Sequence, residues 1–476
     1  MRNLSRRTKT CLKRNRLILS NTMTIDIVSM DTITSGIEGL GHLFYIVNPF
    51  KTSFRTTAEV PHYVSRASSW FVAFIIIERI LLRKKGKAPP INDSITSMAC
   101  GLFMEINHIA FRGAQTAAYV YIYENYRLHE LPWDSLWTWL ACALGMDLGY
   151  YWAHRATHEV NLFWSQHQVH HSSEEYNLTT ALRQGVWQGW STMFYYLPMA
   201  FFIPPSQFFV HSQFNLLFQF WIHTEVIDDL GPLEWVLNTP SHHRVHHGST
   251  RYCVDKNYAG VLIIWDRMFG TFEAERRDEP LVYGLIEQVD SFNPFYLEFF
   301  YLRKVFEKMQ SMPTITDKLK AIFYGPGWVP GSPKLGHYDQ LPETIVREKF
   351  SHSLTPHDQI YATIHFLLLS EGYRVLATQY EEYDGWLLYG CCVYIIVSLV
   401  SIGLLFNRNS WFPWIEMIRC LVFLAYQLHF KIFLMETIGM NLLMNGIRLF
   451  YLYSALQCKI ECVRQFRDIM QKDKIK

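Results

Sequence analysis

Long apolar stretches recur along the chain at roughly the 17–25-residue length that crosses a bilayer. The first, from Val64 to Leu82, is interrupted by Arg66, Glu78 and Arg79. Stretches 95–123 and 133–152 follow, and Glu105, His108 and Arg112 inside the former predict a helix that is bent, packed or partly interfacial. Stretches 186–203 and 208–227 come next, with Pro204-Pro205 between them as a turn. Beyond a charged middle region lie four weaker candidates, at 358–380, 385–406, 411–430 and 433–455. No repeat of solenoid period is visible. The pattern predicts an all-α fold, a polytopic membrane helical bundle.

Polar positions divide the chain further. The first 24 residues hold seven Lys/Arg and no acid, with no apolar segment after them, so residues 1–40 read as a basic, disordered tail rather than a secretory signal. Residues 41–132 hold the N-terminal spans, 133–285 a histidine-dense unit, 286–357 a soluble connecting region, and 358–476 the C-terminal spans and a cytosolic tail. The turn Gly325-Pro326-Gly327-Trp328-Val329-Pro330-Gly331 reads as a connecting loop. Arg83, Lys84, Lys85 and Lys87 after the first span favour the cytosol there. Two spans out and back return the chain near His154, and the Pro204-Pro205 hairpin returns it at His223. The dense histidines therefore share one cytosolic face. The basic tail falls on the other side in this topology; it is far from the span and is given less weight.

Composition agrees with a membrane protein that has a polar working part: 50% of residues are hydrophobic and 18% charged, below the roughly 25% of soluble domains. A net charge of +2 gives no nucleic-acid signal. Nine scattered cysteines without a CxxC argue against a disulfide framework or a zinc ribbon.

The chemistry lies in the histidines, eleven of whose twenty fall between residues 154 and 247. His154 and His158 are spaced i,i+4; His167, His170 and His171 are spaced i,i+3,i+4; and His243, His246 and His247 repeat that pattern. On a helix each block puts its imidazoles on one face. His223 stands alone at the end of a span, and His242 is i,i+4 with His246, so both remain open as further ligands. Eight or nine imidazoles exceed the four ligands of one tetrahedral zinc and fit a pair of metals with open positions. Imidazole alone does not choose among iron, copper, nickel and zinc. The chain does not match the carboxylate-bridged bundles, which carry a Glu-x-x-His motif on each of two helices. Asp147, seven residues before His154, lies near the same helical face and is placed to orient a ligand imidazole from behind. His108, His211 and His365, in apolar spans, read as hydrogen-bonded bundle residues.

Together the blocks HxxxH, HxxHH and a later HxxHH resemble the fatty acid hydroxylase / sterol desaturase superfamily. The flanking segments YYWAHRATHEVNLFWSQHQVHH, NTPSHHRVHHG and DKNYAGVLIIWDRMFGTFEAE are similar to its pterin-dependent, glyceryl-ether-cleaving members, as are ENYRLHELPWDS upstream and GPGWVPGSPKLG downstream. The resemblance spans about residues 40–340. It implies that 133–285 is the catalytic domain and that the eight block histidines hold two iron ions. It implies that O2 and tetrahydrobiopterin are used to oxidise the ether-linked carbon of a 1-O-alkylglycerol, or of a lyso-alkyl glycerophospholipid. Glu159 is similar to a family glutamate assigned to the pterin. Lys472 and Lys474 resemble a dilysine retrieval signal, which implies an endoplasmic reticulum membrane with the site facing the cytosol.

Two other readings stand beside this one. A sterol or fatty-acyl hydroxylase or desaturase of the same superfamily would draw on cytochrome b5, of which no fused segment is evident. A histidine-rich metal transporter would carry its histidines inside spans or in a low-complexity loop, not in ordered blocks at helix ends.

Overall fold

The computed structural model describes residues 30–111, 114–343, 348–429 and 438–473. The basic run through Met23 and Lys474 lie outside them. Among the described residues the chain is helical, with no strand and two isolated bridges, Leu237 to Leu262 and Gly248 to Tyr283. The longer helices are α1 (Met30–Leu43), α2 (Tyr63–Lys84), α3 (Ile91–Phe111), α4 (Ala114–Tyr126), α5 (Leu136–Glu159), α6 (Asn161–His171), α7 (Pro205–Trp221), α8 (Pro240–His247), α9 (Pro294–Ser311), α10 (Ile315–Phe323), α11 (Pro356–Gln379), α12 (Gly385–Phe406), α13 (Phe412–His429) and α14 (Ile438–Asp473).

Several helix starts are written in the sequence. Asn293, Thr355 and Asp384 cap α9, α11 and α12, each accepting a backbone N–H from the first turn through its side chain, and Pro294 and Pro356 occupy first-turn positions. α5 matters most for the site. It is 24 residues long, roughly 36 Å at 1.5 Å per residue, and His154 and His158 lie in its last two turns.

Three expectations are corrected. Stretch 186–203 is not a span: it breaks into short turns at Gln188–Thr192, Met193–Tyr195 and Leu197–Phe201. Pro198 has no N–H to give a ladder, and the carbonyls of Phe201 and Phe202 instead accept from Leu128 and Leu131. α1 begins inside the stretch read as a disordered tail, and its Leu40 and Leu43 pack with α2 and α7. Region 286–357 is more than a connector. α9 packs on α6, where Gln168 donates to the Leu297 carbonyl at 2.9 Å. The turn after α10 buries Trp328 at 2% exposure.

Among the described residues one helix, α12, is long and apolar enough to cross a membrane by length and composition. α2 and α5 leave apolar side chains on the outside, among them Val72, Ile76, Ile80, Trp137, Leu140 and Leu144.

The C-terminal helices are fastened to the rest by an apolar cluster that joins Ile95, Leu102 and Ile106 of α3 to Phe366, Leu369, Ile395 and Leu399 of α11 and α12. Next to it, α12 meets the start of α9 so closely that a Cβ on Gly403 would lie 2.6 Å from Asn293 Cα and 2.7 Å from the Phe292 carbonyl oxygen. Both are backbone atoms and cannot rotate away. Gly403→Ala is expected to destabilise the protein by about 1–3 kcal/mol, read as a lower unfolding temperature in detergent. Gly390→Ala, on the same helix with nothing within 4 Å, is the control that should leave it unchanged.

Candidate metal centre

Four elements bring the histidines together. α5 ends with His154 and His158, one turn apart. The chain reverses at Val160, and α6 presents His167, His170 and His171. Asn161 secures the reversal, donating its backbone N–H to the Tyr324 carbonyl and its side chain to the Ala321 carbonyl, both at 2.8 Å. His223 follows the end of α7, and α8 carries His243, His246 and His247. Arg244 locks α8 in place. It grips the Glu275 carboxylate through Nε and Nη2 and donates to the carbonyls of Thr224, Ile227 and Asp228. Gly185 lets the chain pass α6 where no side chain fits, since a Cβ there would lie 2.2 Å from the Gln166 carbonyl oxygen.

Nine imidazoles result, none more than 6% exposed. They sort into two groups. His154, His158, His167, His171 and His246 form one, and His170, His223, His243 and His247 the other; in each, one nitrogen per residue lies within 4.8 Å of all the rest. His154 Nε2 is 2.9 Å from His167 Nε2, and His246 Nε2 is 3.1 Å from His171 Nε2. In the second group His223 Nε2 is 3.2 Å from His170 Nε2 and 2.9 Å from His243 Nε2.

Tautomers explain why these contacts call for a cation. His170 Nδ1–H donates to the Arg183 carbonyl at 2.9 Å and His223 Nδ1–H to the Gln219 carbonyl at 2.7 Å. A neutral imidazole that donates from Nδ1 has only a lone pair at Nε2, so two lone pairs face each other. His154 and His246 are set the same way, donating at 2.8 Å to the carbonyls of Tyr258 and Lys256. Protonation would not relieve the crowding, because burial opposes charge. It holds His154 down to about 3 and His170 down to about 4, and holds His158, His167, His171, His243, His246 and His247 well below the usual range, with neighbouring imidazoles adding to the effect in these six. His158 Nε2, His243 Nδ1 and His247 Nε2 are buried without a hydrogen-bond partner, an arrangement that costs about 1–3 kcal/mol per group. The donor set fits two divalent cations, one per group.

The outer support was only partly legible in the sequence. Asp147 does not touch an imidazole, which corrects the expectation for it. It accepts from the backbone of Val261 at 2.8 Å and of Leu262 at 2.9 Å, from Trp265 Nε1 at 2.9 Å and from Asn215 at 3.1 Å. It thereby anchors the segment whose Tyr258 carbonyl takes His154. Asp266 holds the same segment by accepting from the N–H groups of Tyr258 and Ala259. Glu159, the last residue of α5, accepts from Arg155 Nε at 2.7 Å, and its other oxygen lies 4.0 Å from Lys334 Nζ.

Of the two histidines left open, His223 joins a group and His242 does not. His242 faces Thr239 and Phe272, with Glu234 3.9 Å away. His211 bonds Tyr45 at 2.6 Å, and His108 lies 3.6 Å from Glu105. His365 also lies in a possible ligand group, with Glu416 and Cys420. The Arg419 guanidinium fills that place, however, binding the Glu416 carboxylate and donating to His365 Nδ1 at 2.9 Å. It is an ion pair within the C-terminal helices.

Comparison with known proteins agrees with this geometry. Residues 139–271 match the fatty acid hydroxylase family, and residues 358–439 match the alkylglycerol monooxygenase C-terminal domain. The chain is 47% identical to alkylglycerol monooxygenase of Xenopus tropicalis, over 82% of this chain and 87% of that one. It is 48% identical to that of Homo sapiens, over 81% and 87%, and 42% identical to that of Danio rerio, over 91% and 97%. No solved structure matches. Two family matches that together take in the histidine groups and the C-terminal helices, with relatives this similar along most of their length, place the chain in the alkylglycerol monooxygenase family.

Proposed function

We propose that this chain is a membrane-bound, iron-dependent ether-lipid monooxygenase. It places one oxygen atom of O2 on the ether-linked carbon of a 1-O-alkylglycerol or a lyso-alkyl glycerophospholipid; the second atom leaves as water, with two electrons from tetrahydrobiopterin. The hemiacetal then breaks into a fatty aldehyde and a glycerol derivative. One observation carries the reading: nine buried, neutral imidazoles sorted into groups of five and four, in a chain of this family. A metal transporter has no need of two closed, sequestered groups.

In this reading His154, His158, His167, His171 and His246 hold one iron, and His170, His223, His243 and His247 the other. Five and four imidazoles would hold the two ions and leave room for O2. When bound, the pair supplies the oxygen activation that no side chain here can perform. The chain's own part is orientation and exclusion. Backbone carbonyls fix the tautomers of His154, His170, His223 and His246 so that Nε2 faces inward, and burial keeps bulk water away. Glu159 stands beside His158 as the pterin's acceptor, where a carboxylate can take two hydrogen bonds from the amide and amine edge. Arg155 already holds one of its oxygens, and the oxygen toward Lys334 is the freer. The apolar outer faces of α2, α5 and α12 suit a bilayer, from which an alkyl chain can reach a site on the cytosolic side. The basic run after α2 suits the cytosolic face of an endoplasmic reticulum membrane.

The decisive experiment is aldehyde release from a 1-O-alkylglycerol by membranes containing the full chain, with and without tetrahydrobiopterin. Pterin-dependent release is expected; none from iron-loaded protein overturns the reading. His171→Ala and His246→Ala should each reduce release to background and lower bound iron. His242→Ala should keep its iron and most of its activity, and iron loss there would reopen the ligand set. Glu159→Gln should raise the pterin KM roughly tenfold, the scale of one charge-assisted hydrogen bond, with iron retained. An unchanged KM would remove Glu159 from the pterin site.

A further inference from the structure

The nine imidazoles are not supported alike. In the four-histidine group the acceptors behind His170 and His223 are neutral carbonyls, those of Arg183 and Gln219. In the five-histidine group His154 and His246 likewise donate to the carbonyls of Tyr258 and Lys256, and His167 Nδ1 lies 3.3 Å from the Gln188 amide oxygen. His158 differs. Asp255 Oδ1 lies 3.4 Å from its Nδ1. Among the described residues no other carboxylate oxygen lies within 4.0 Å of a nitrogen of any of the nine.

Asp255 is held in place at the expense of backbone comfort. Its φ is +58° and that of Asn257 is +54°, a left-handed conformation that Asp and Asn accept more readily than other chiral residues and that still needs support from the surroundings. Here they supply it. Tyr338, far along the chain, donates its hydroxyl to Asp255 Oδ2. Asn257 is fixed by four bonds: its side chain donates to the carbonyls of His242 and Glu273 and accepts from Glu273 N–H, and its own N–H donates to the Thr271 carbonyl. The four residues 255–258 thus face three members of one group and none of the other: Asp255 stands behind His158, Lys256 behind His246 and Tyr258 behind His154.

A carboxylate behind a metal-bound imidazole fixes its tautomer and raises its basicity more than a carbonyl does. His158 Nε2, the nitrogen left without a partner, is the one that gains. We propose that Asp255 is a positioning residue that widens the difference between two metal positions already set apart by five imidazoles against four, giving the five-histidine ion the more electron-rich ligand set and so making it the harder of the two to reduce. This rests on the two-iron reading above.

The test uses the full chain in detergent, loaded with Mössbauer-active iron and assayed for metal. The wild type should hold two irons per chain and show two quadrupole doublets of equal area. Asp255→Asn keeps the shape and removes the charge; one doublet should move while the other stays, and iron affinity at one position should fall roughly 10–100-fold. Asp255→Glu should restore part of both. Tyr338→Phe leaves the carboxylate in place and removes its clamp. It should move the same doublet by less, and it decides the matter if Asp255→Asn fails to fold. Two irons with a single wild-type doublet, or variants whose doublets stay put or move together, overturn the inference. A wild type with fewer than two irons overturns the two-iron reading instead.

Discussion

Everything in this structure leads back to one electrostatic constraint: lone pairs of buried neutral imidazoles are pressed together in a space without water. Histidines so placed cannot easily relieve one another by taking up protons, because burial holds the charged form away. Nor can they all donate, because carbonyl partners have already claimed the Nδ1 hydrogens of His154, His170, His223 and His246. A packed core of this kind coheres only around positive charge. The helices therefore do two things at once. They bring the nitrogens together, and they fix which nitrogen of each ring faces in.

The second task falls to residues with no metal-binding chemistry of their own. Asp147 and Asp266 are buried carboxylates spent on backbone N–H groups of residues 258–262. Arg244 ties α8 to the segment that follows His223. Asn161 ties α6 to the end of α10. Replacing any of them leaves the histidine count intact, strands buried partners and disturbs where the rings point. Sites of this kind tolerate error of only a few tenths of an ångström in their support.

Much of this was legible in the sequence, and the reason is periodicity. Helical spacing put His154 with His158, and His243 with His246 and His247, on common faces, and the structure keeps those faces. What could not be read was whatever depended on chain direction between helices. Spacing favours His223 without excluding His242; the two separate because α8 turns His242 outward toward Glu234. Stretch 186–203 has the hydropathy of a span, yet Pro198 and the pairing with Leu128 and Leu131 break it into turns. Asp147 has the right spacing from His154, but its partners are Asn215 and residues 261, 262 and 265, all far along the chain. Asp255 lay unnoticed in DKNYAG, although Asp and Asn two apart in a short polar run are the chiral residues that best accept a left-handed backbone.

The Tyr338–Asp255 bond spans 83 residues, and that separation sets an order of events during synthesis. All nine histidines leave the ribosome before the hydroxyl that closes the five-histidine group exists. A nascent chain stopped after α8 would own every nitrogen donor and still lack both this clamp and the α9–α10 wall against α6. Support of the five-histidine group is therefore complete only once synthesis has passed Tyr338.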